Sequence, residues 1–245
     1  MEKRRSIGGK RGKEVFEMEE HVEMKVVARI YSDFPTKFGI PRQSGLVEAL
    51  KARIVFEPAF RNPDAVRGLE QYSHIWVLWQ FSEHIREGWS ATVRPPRLGG
   101  NTRVGVFASR SPFRPNPIGL SSLRLEGIEM DEMLGPVLLV SGADLMDQTP
   151  IFDIKPYIPY VDAHPEASDG FAHAIKEGLL SVEFPPELLE KVPEDRREAL
   201  IGILGQDPRP AYQDASERIY GMEYAGLEVR FRVAGRILTV VEVVA

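Results

Sequence analysis

Apolar positions along the first two thirds of the chain fall into short runs bounded by proline, glycine or charge, the pattern of strands rather than of long helices. Lys25-Val26-Val27-Ala28-Arg29-Ile30-Tyr31 predicts a first strand and Lys51–Phe56 a second. Tyr72–Phe81 is almost continuously apolar and aromatic, as expected of a central strand covered on both sides. Val104–Ala108 predicts a short buried strand, and Leu123–Ile128 and Pro136–Ala143 two more. Between Asn62 and Leu69 the pattern is one helical turn closed by Gly68. Strand signals at this spacing, with no long helices between them, predict a mostly antiparallel sheet closed into a small β-barrel.

The pattern changes after His164. The mixed stretch that follows predicts a linker over residues 164–184. From Pro185 to Leu204, apolar Leu188, Leu189, Val192, Leu200, Ile203 and Leu204 recur at roughly helical spacing, and Pro193 divides them into two short helices. Tyr220–Tyr224, Leu227–Val233 and Ile237–Val244 predict terminal strands, the last two joined at Ala234-Gly235-Arg236. The expected organisation is mainly β: a polar, flexible extension over 1–23, a β-barrel domain over 24–163, the linker, and a smaller α+β C-terminal domain over 185–245.

Composition narrows the chemistry. The net charge of −5 argues against a broadly basic nucleic-acid-binding surface, so any such contact must be local. The absence of cysteine removes disulfides, thiolate zinc sites and cysteine nucleophiles together. No apolar run approaches the ~20 residues a bilayer span needs. Glutamates follow the basic start where a signal peptide would be apolar, so a soluble cytoplasmic protein with no membrane partner is expected. The run Gly8 to Lys13 is one residue short of a phosphate loop and has no strand before it. There is no G-x-S-x-G elbow, no H-E-x-x-H helix and no Rossmann fingerprint. His74 sits among apolar residues as a core histidine would, and His84 has no second histidine at metal spacing, so no metal is expected.

What remains is a set of polar loops stiffened by proline. The longest, Arg94 to Leu123, carries Arg94, Arg97, Arg103, Arg110 and Arg114 among Pro95, Pro96, Pro112, Pro115 and Pro117. Proline fixes φ and pushes the preceding residue toward extended geometry, so the loop should hold its guanidinium forks at fixed positions suited to anions or nucleotides. Pro41-Arg42-Gln43, Ser82-Glu83, Asp144 to Tyr157, and Gln206 to Tyr212 are similar. Together they fit a polar ligand that carries both an anion and a cation. For Asp144 to Tyr157 the plain alternative is an ion-paired turn, Asp153 with Lys155 or a nearby arginine.

Five blocks resemble one family: Phe38-Gly39-Ile40-Pro41-Arg42-Gln43, Val66-Arg67-Gly68-Leu69-Glu70, Thr92 to Gly100, Gly105 to Leu120, and Asp153-Ile154-Lys155-Pro156-Tyr157. They are similar to the TsaA/TrmO (YaeB-like) family, whose C-terminal block Gln206 to Tyr212 also resembles. The resemblance runs over roughly residues 24–245. It implies S-adenosylmethionine-dependent methylation of the exocyclic nitrogen of threonylcarbamoyl-adenosine, the modified base 3′ of the tRNA anticodon. It also implies a non-Rossmann β-barrel and a homodimer with cofactor near the subunit interface. The positions matching the family's cofactor contacts are Pro41, Arg42, Gln43, Ser82, Glu83, Arg110, Leu120 and the segment holding Asp147, Thr149, Ile151, Phe152 and Ile154. At Ser82-Glu83 the sequence departs from the His-Gln pair of some relatives, which leaves the side-chain role there open.

On that reading, Asp147 and Asp153 suit a sulfonium cation, and Arg42 or Arg110 the methionine carboxylate. Asp153, Asp207 and Tyr157 are candidates to take the proton from the methylated nitrogen. Arg94, Arg97, Arg114 and Arg209 suit tRNA phosphates, with Tyr212 beside them in the C-terminal block. Two rivals stay open: a non-enzymatic RNA- or nucleotide-binding module, and a methyltransferase acting on another acceptor.

Overall fold

The structure is a computed structural model that describes residues 22–84, 88–95, 102–171, 179–209 and 218–245. Its first body is built on strands β1 (Ala28–Tyr31), β2 (Lys51–Phe56), β3 (His74–Gln80), β6 (Ile118–Asp131), β7 (Gly135–Ser141) and β8 (Pro150–Pro156). They close into a barrel in the order β1-β2-β7-β6-β3-β8, every pairing antiparallel. The mainly β class and the small antiparallel barrel expected from the strand pattern are both present. A separate two-residue ladder joins β4 (Thr92–Val93) to β5 (Val104–Gly105).

The barrel closes because alternate residues turn inward. On β3, Ile75, Val77 and Trp79 are buried while Trp76, Leu78 and Gln80 are half-covered. They meet Ile30, Ile54, Leu123, Leu138, Val140 and Ile151 in one core. Burying a side chain of this kind contributes about 1.5–3 kcal/mol. β3 lies between β6 and β8; in a closed barrel every strand has two neighbours, so the expected central strand is one of six equivalent staves, with its outer face half-covered.

Several elements differ from the sequence pattern. β6 has 14 residues, not the six of Leu123–Ile128. It begins directly after Pro117 and runs past a bulge between Leu125 and Gly127 into an exposed hairpin, where apolar contrast fades. Val104–Ala108 is strand only at its first two residues; a 3₁₀ turn follows, with Val106 buried and Phe107 73% exposed. Part of the supposed acidic turn, Pro150–Pro156, is strand β8 between β1 and β3. Its Asp153 and Lys155 pair with each other at 2.7 Å, which is how two charges ride on a barrel strand. The turn after Asn62 is 3₁₀, started by the Asn62 side chain accepting from the Asp64 amide at 3.0 Å.

After the short helix α1 (Pro159–Asp162), the second body contains β9 (Ser181–Glu183), α2 (Pro186–Leu189), α3 (Glu194–Gly205), β10 (Tyr220–Tyr224), β11 (Leu227–Ala234) and β12 (Ile237–Val244). Its sheet runs β10-β11-β12-β9, with β9 parallel to β12. The two helices and three terminal strands match the sequence pattern. β9 falls within the stretch read as linker, where three residues give too little pattern to detect.

The segment between β1 and β2 joins the two bodies. Phe34, Val47 and Leu50 leave the barrel and bury themselves among Leu200, Ile203, Tyr224 and Phe231. Gly39, in left-handed backbone (φ 91°), passes so close to Met222 that a Cβ would lie 2.6 Å from its methyl group. Arg196 of α3 meets Asp33 in an ion pair at 2.7 Å whose angles fall outside hydrogen-bond range. Burial pushes the Asp33 carboxyl above its usual range, and Arg196 opposes that rise. The loop bearing Pro41-Arg42-Gln43 is therefore held in place by the second body.

Candidate active site

One open cleft of about 530 Å³ lies against the outer end of β3 and the start of β6. That volume is in the range of ligand sites. Its walls come from five separate pieces of chain: the loop 37–44, β3 with the turn at Ser82-Glu83, the loop 109–114, the start of β6, and the 144–149 turn. Trp79, Phe81, Ile118, Leu120 and Met146 make the lining apolar, while Arg42, Arg110 and Arg114 bring positive charge.

Residues 106–114 of the arginine loop are braced by their own side chains. Ser109 Oγ donates to the Val106 carbonyl at 2.9 Å and accepts the Ser111 amide at 3.3 Å; Ser111 Oγ accepts the Phe113 amide at 3.3 Å. Such hydroxyl-to-backbone turns fix the chain between prolines. Arg114 braces the loop from within, its Nη1 donating to the carbonyls of Ser109 at 2.7 Å and Ser111 at 3.4 Å. Arg110 donates to Gln43 Oε1, and Gln43 Nε2 donates to the Arg42 carbonyl, so the loop and the Pro41-Arg42-Gln43 corner meet across the cleft.

Of the residues singled out for cofactor binding, Pro41, Arg42, Gln43, Ser82, Glu83, Arg110, Leu120 and Thr149 line this cleft. Four lie elsewhere. Asp147 accepts the Ser32 amide at 3.0 Å and fastens the turn to the β1 end. Ile151 is fully buried in the barrel. Phe152 is half-buried on β8, and Ile154 packs against the barrel core. Ile154 and Asp153 border a second hollow of about 450 Å³ beside Arg67 and Gly68.

The proton-acceptor candidates are also dispersed. Asp153 is paired with Lys155. Tyr157 packs its ring 5.4 Å from that of Trp76, a cleft residue, and so borders the site at one remove. Asp207 grips Arg209 through both oxygens, at 2.8 and 2.9 Å, from a left-handed backbone position. That pair engages the two side chains with each other rather than with the cleft. Arg94 is exposed; Arg97 and Tyr212 lie outside the described residues.

One cleft residue lies in the Asp144 to Tyr157 loop singled out from the sequence but had no role of its own there. Asp144 sits at the floor, where Trp79 Nε1 donates to Ser121 Oγ at 3.0 Å and Ser121 Oγ donates to Asp144 Oδ1 at 2.7 Å. An indole nitrogen only donates, so the direction of this chain is fixed. Burial pushes the Asp144 carboxyl up, opposed by the Ser121 hydroxyl, backbone amides including that of Ser44, and the charge of Arg110. Gly119 makes room for the relay: a Cβ there would fall 2.2 Å from the Trp79 ring. Asp144 and Ser121 are 23 positions apart, and only strand pairing brings them together.

Cations on one wall, an aromatic and apolar lining, and a half-buried carboxylate fit a ligand that is anionic at one end and cationic in the middle. Among the described residues, no group of three or more acidic or histidine side chains is placed to hold a metal ion. No described helix is long and apolar enough to cross a membrane.

Comparison with known proteins agrees with this geometry. Residues 29–163 match the tRNA-methyltransferase O N-terminal domain, and residues 177–245 the TrmO C-terminal domain. The chain is 39% identical over 219 residues to the tRNA (adenine(37)-N6)-methyltransferase of Escherichia coli, covering 86% of this chain and 93% of that one. It is 41% identical over 213 residues to a Pseudomonas aeruginosa chain named for S-adenosylmethionine-dependent methyl transfer, covering 84% of this chain and 90% of that one. A crystal structure of TrmO superimposes with a TM-score of 0.76 at 33% identity, covering 92% of this chain and all of the other. Barrel, appended α+β domain and cleft-lining loops together make this chain a member of the TrmO family.

Proposed function

We propose that the chain methylates N6 of adenine 37 in tRNA, using S-adenosylmethionine bound in the cleft. The observation that carries this reading is the convergence of Arg42, Gln43, Ser82, Glu83, Arg110 and Leu120 on one cavity from distant parts of the chain. The names of the E. coli and P. aeruginosa relatives support the acceptor and the donor respectively.

S-adenosylmethionine, when bound, supplies an electrophilic methyl group. Methyl transfer would break the carbon–sulfur bond with its electron pair left on sulfur and form a carbon–nitrogen bond at N6, whose proton would pass to water. The chain's own contribution is alignment. Held in line, reacting partners can gain about 7–11 kcal/mol in favourable cases. The serine-braced arginine loop and the Gln43–Arg110 contact provide that rigidity. Exposed Arg94 suits a tRNA phosphate, which positions without specifying. The base itself must be splayed out to reach the cleft, as single-stranded loop bases are.

The finer reading follows the resemblance. The acceptor is the threonylcarbamoyl form of adenosine 37, the protein works in the cytoplasm, and it acts as a homodimer. Leu120, 55% exposed at the cleft, and Phe107, 73% exposed on the arginine loop, leave apolar surface for a second copy.

Calorimetry separates this from a plain RNA-binding module. Micromolar binding of S-adenosylmethionine is expected; no binding heat alongside retained tRNA binding identifies the module instead.

A further inference from the structure

Asp144 points to a role that the cofactor reading above leaves vacant, and it rests on that reading. We infer that Asp144, with the Trp79 ring beside it, is the countercharge that holds the sulfonium of S-adenosylmethionine.

A sulfonium is a cation with no N–H to donate, so its attraction to oxygen atoms is one of charge rather than of directed hydrogen bonds, and a full negative charge attracts it most. A low-dielectric wall, one anion and an aromatic face suit it. The cleft floor supplies all three: Asp144, Trp79, and Met146 and Leu120 around them. Trp79 is only 8% exposed and cannot swing away, because its Nε1 is committed to Ser121. The Ser121 hydrogen is in turn committed to Asp144 Oδ1, which fixes the carboxylate's orientation. Asp147 and Asp153, the acids that sequence reading favours for this task, serve the Ser32 amide and Lys155.

The Ser121 hydroxyl, backbone amides and the Arg110 charge already stabilise this carboxylate, yet its burial still outweighs them. Its burial raises the free energy of the ionised form, and a bound cation relieves it. Loss of the methyl group leaves a neutral thioether, so the floor that welcomes the substrate has no electrostatic hold on the product. The arrangement therefore favours release of S-adenosylhomocysteine.

The test is calorimetric and uses the full chain. In Asp144→Asn, which preserves shape and the Ser121 hydrogen bond, S-adenosylmethionine affinity should fall roughly ten- to hundredfold. S-adenosylhomocysteine affinity should change less than about threefold, given that its sulfur is neutral. Equal losses for both ligands, or no loss for either, overturn the inference, the second even where turnover falls. Failure of wild-type protein to bind either ligand overturns the cofactor reading itself. Should the variant not fold, wild-type protein carries the test: the ratio of the two affinities should shift against S-adenosylmethionine as pH falls from about 8 to about 4.5, as protonation removes the countercharge. The other charged cleft groups are Lys37 and Arg42 from the loop before β2, Glu83 from the turn after β3, and Arg110 and Arg114 from the arginine loop. Of these, Glu83 alone is a carboxylate, and Glu83→Gln measured alongside separates it from Asp144. A ratio independent of pH overturns the inference.

Discussion

Arg110 donates through Nη1 to Oε1 of Gln43, closing two loops 67 positions apart over one side of the cleft. Gln43 passes the contact on to the Arg42 carbonyl, and the Arg110 charge also reaches Asp144. The pair sets the position of a guanidinium fork that suits the carboxylate of the methionine moiety. Arg110→Ala should weaken S-adenosylmethionine binding by about 1.5–3 kcal/mol, the worth of a charged hydrogen bond. Arg110→Lys should not restore it, because an ammonium lacks the planar fork. Unchanged affinity in calorimetry removes Arg110 from the site.

Gly119 and Trp79 are in equally close relation, with 2.2 Å between the ring and the space a Cβ would take. Gly119→Ala should destabilise the barrel by about 1–3 kcal/mol through overpacking. It should also displace the indole from Ser121. Chemical denaturation followed by tryptophan fluorescence reads both; a stability equal to wild type shows that the ring moves freely.

Asp144 gives a pH signature in the ligand-free protein. Its folded pKa is raised, chiefly by burial, so folding binds the proton more tightly than unfolding. Stability associated with the protonated group is present in acid and lost as pH rises through the folded pKa. Asp144→Asn removes that loss. The variant should melt higher than wild type near pH 8, and the difference should shrink toward pH 4, with thermal unfolding as the measurement. A variant less stable at every pH contradicts the burial account.

Arg196 and Asp33 hold the loop between β1 and β2 against the second body. Arg196→Ala leaves a half-buried carboxylate without its countercharge and should cost about 1–3 kcal/mol, less than a fully buried pair because both side chains keep some solvent. Protonation of Asp33 in acid should diminish the cost, since its raised pKa brings it to neutrality early. A loss that does not vary with pH assigns the effect to packing of the arginine stem instead.

Much of this was legible in the sequence, for reasons that differ by region. The barrel announces itself in β3, a nearly continuous apolar and aromatic run whose alternate residues turn into the core. The stiff arginine loop and the Pro41-Arg42-Gln43 corner are visible because proline constrains backbone locally. β8 was hidden because its outward side chains, Asp153 and Lys155, neutralise each other and imitate a turn. β9 was hidden by its brevity. Asp144 was visible as the start of a polar loop, but its role was not, because that role is created by register: it meets Ser121 only once β6 and β7 pair and the chain bends at Gly142. Asp207 and Arg209 illustrate the reverse, two residues with promising chemistry that satisfy each other two positions apart.

The central claim is methyl transfer to one atom of one base, and mass spectrometry of digested tRNA measures it directly. Purified protein is incubated with isotopically labelled S-adenosylmethionine and tRNA bearing threonylcarbamoyl-adenosine at position 37, with unmodified tRNA alongside. The account predicts label on N6 of residue 37 of the modified tRNA. Label on any other nucleoside, or none in the presence of bound cofactor, contradicts it.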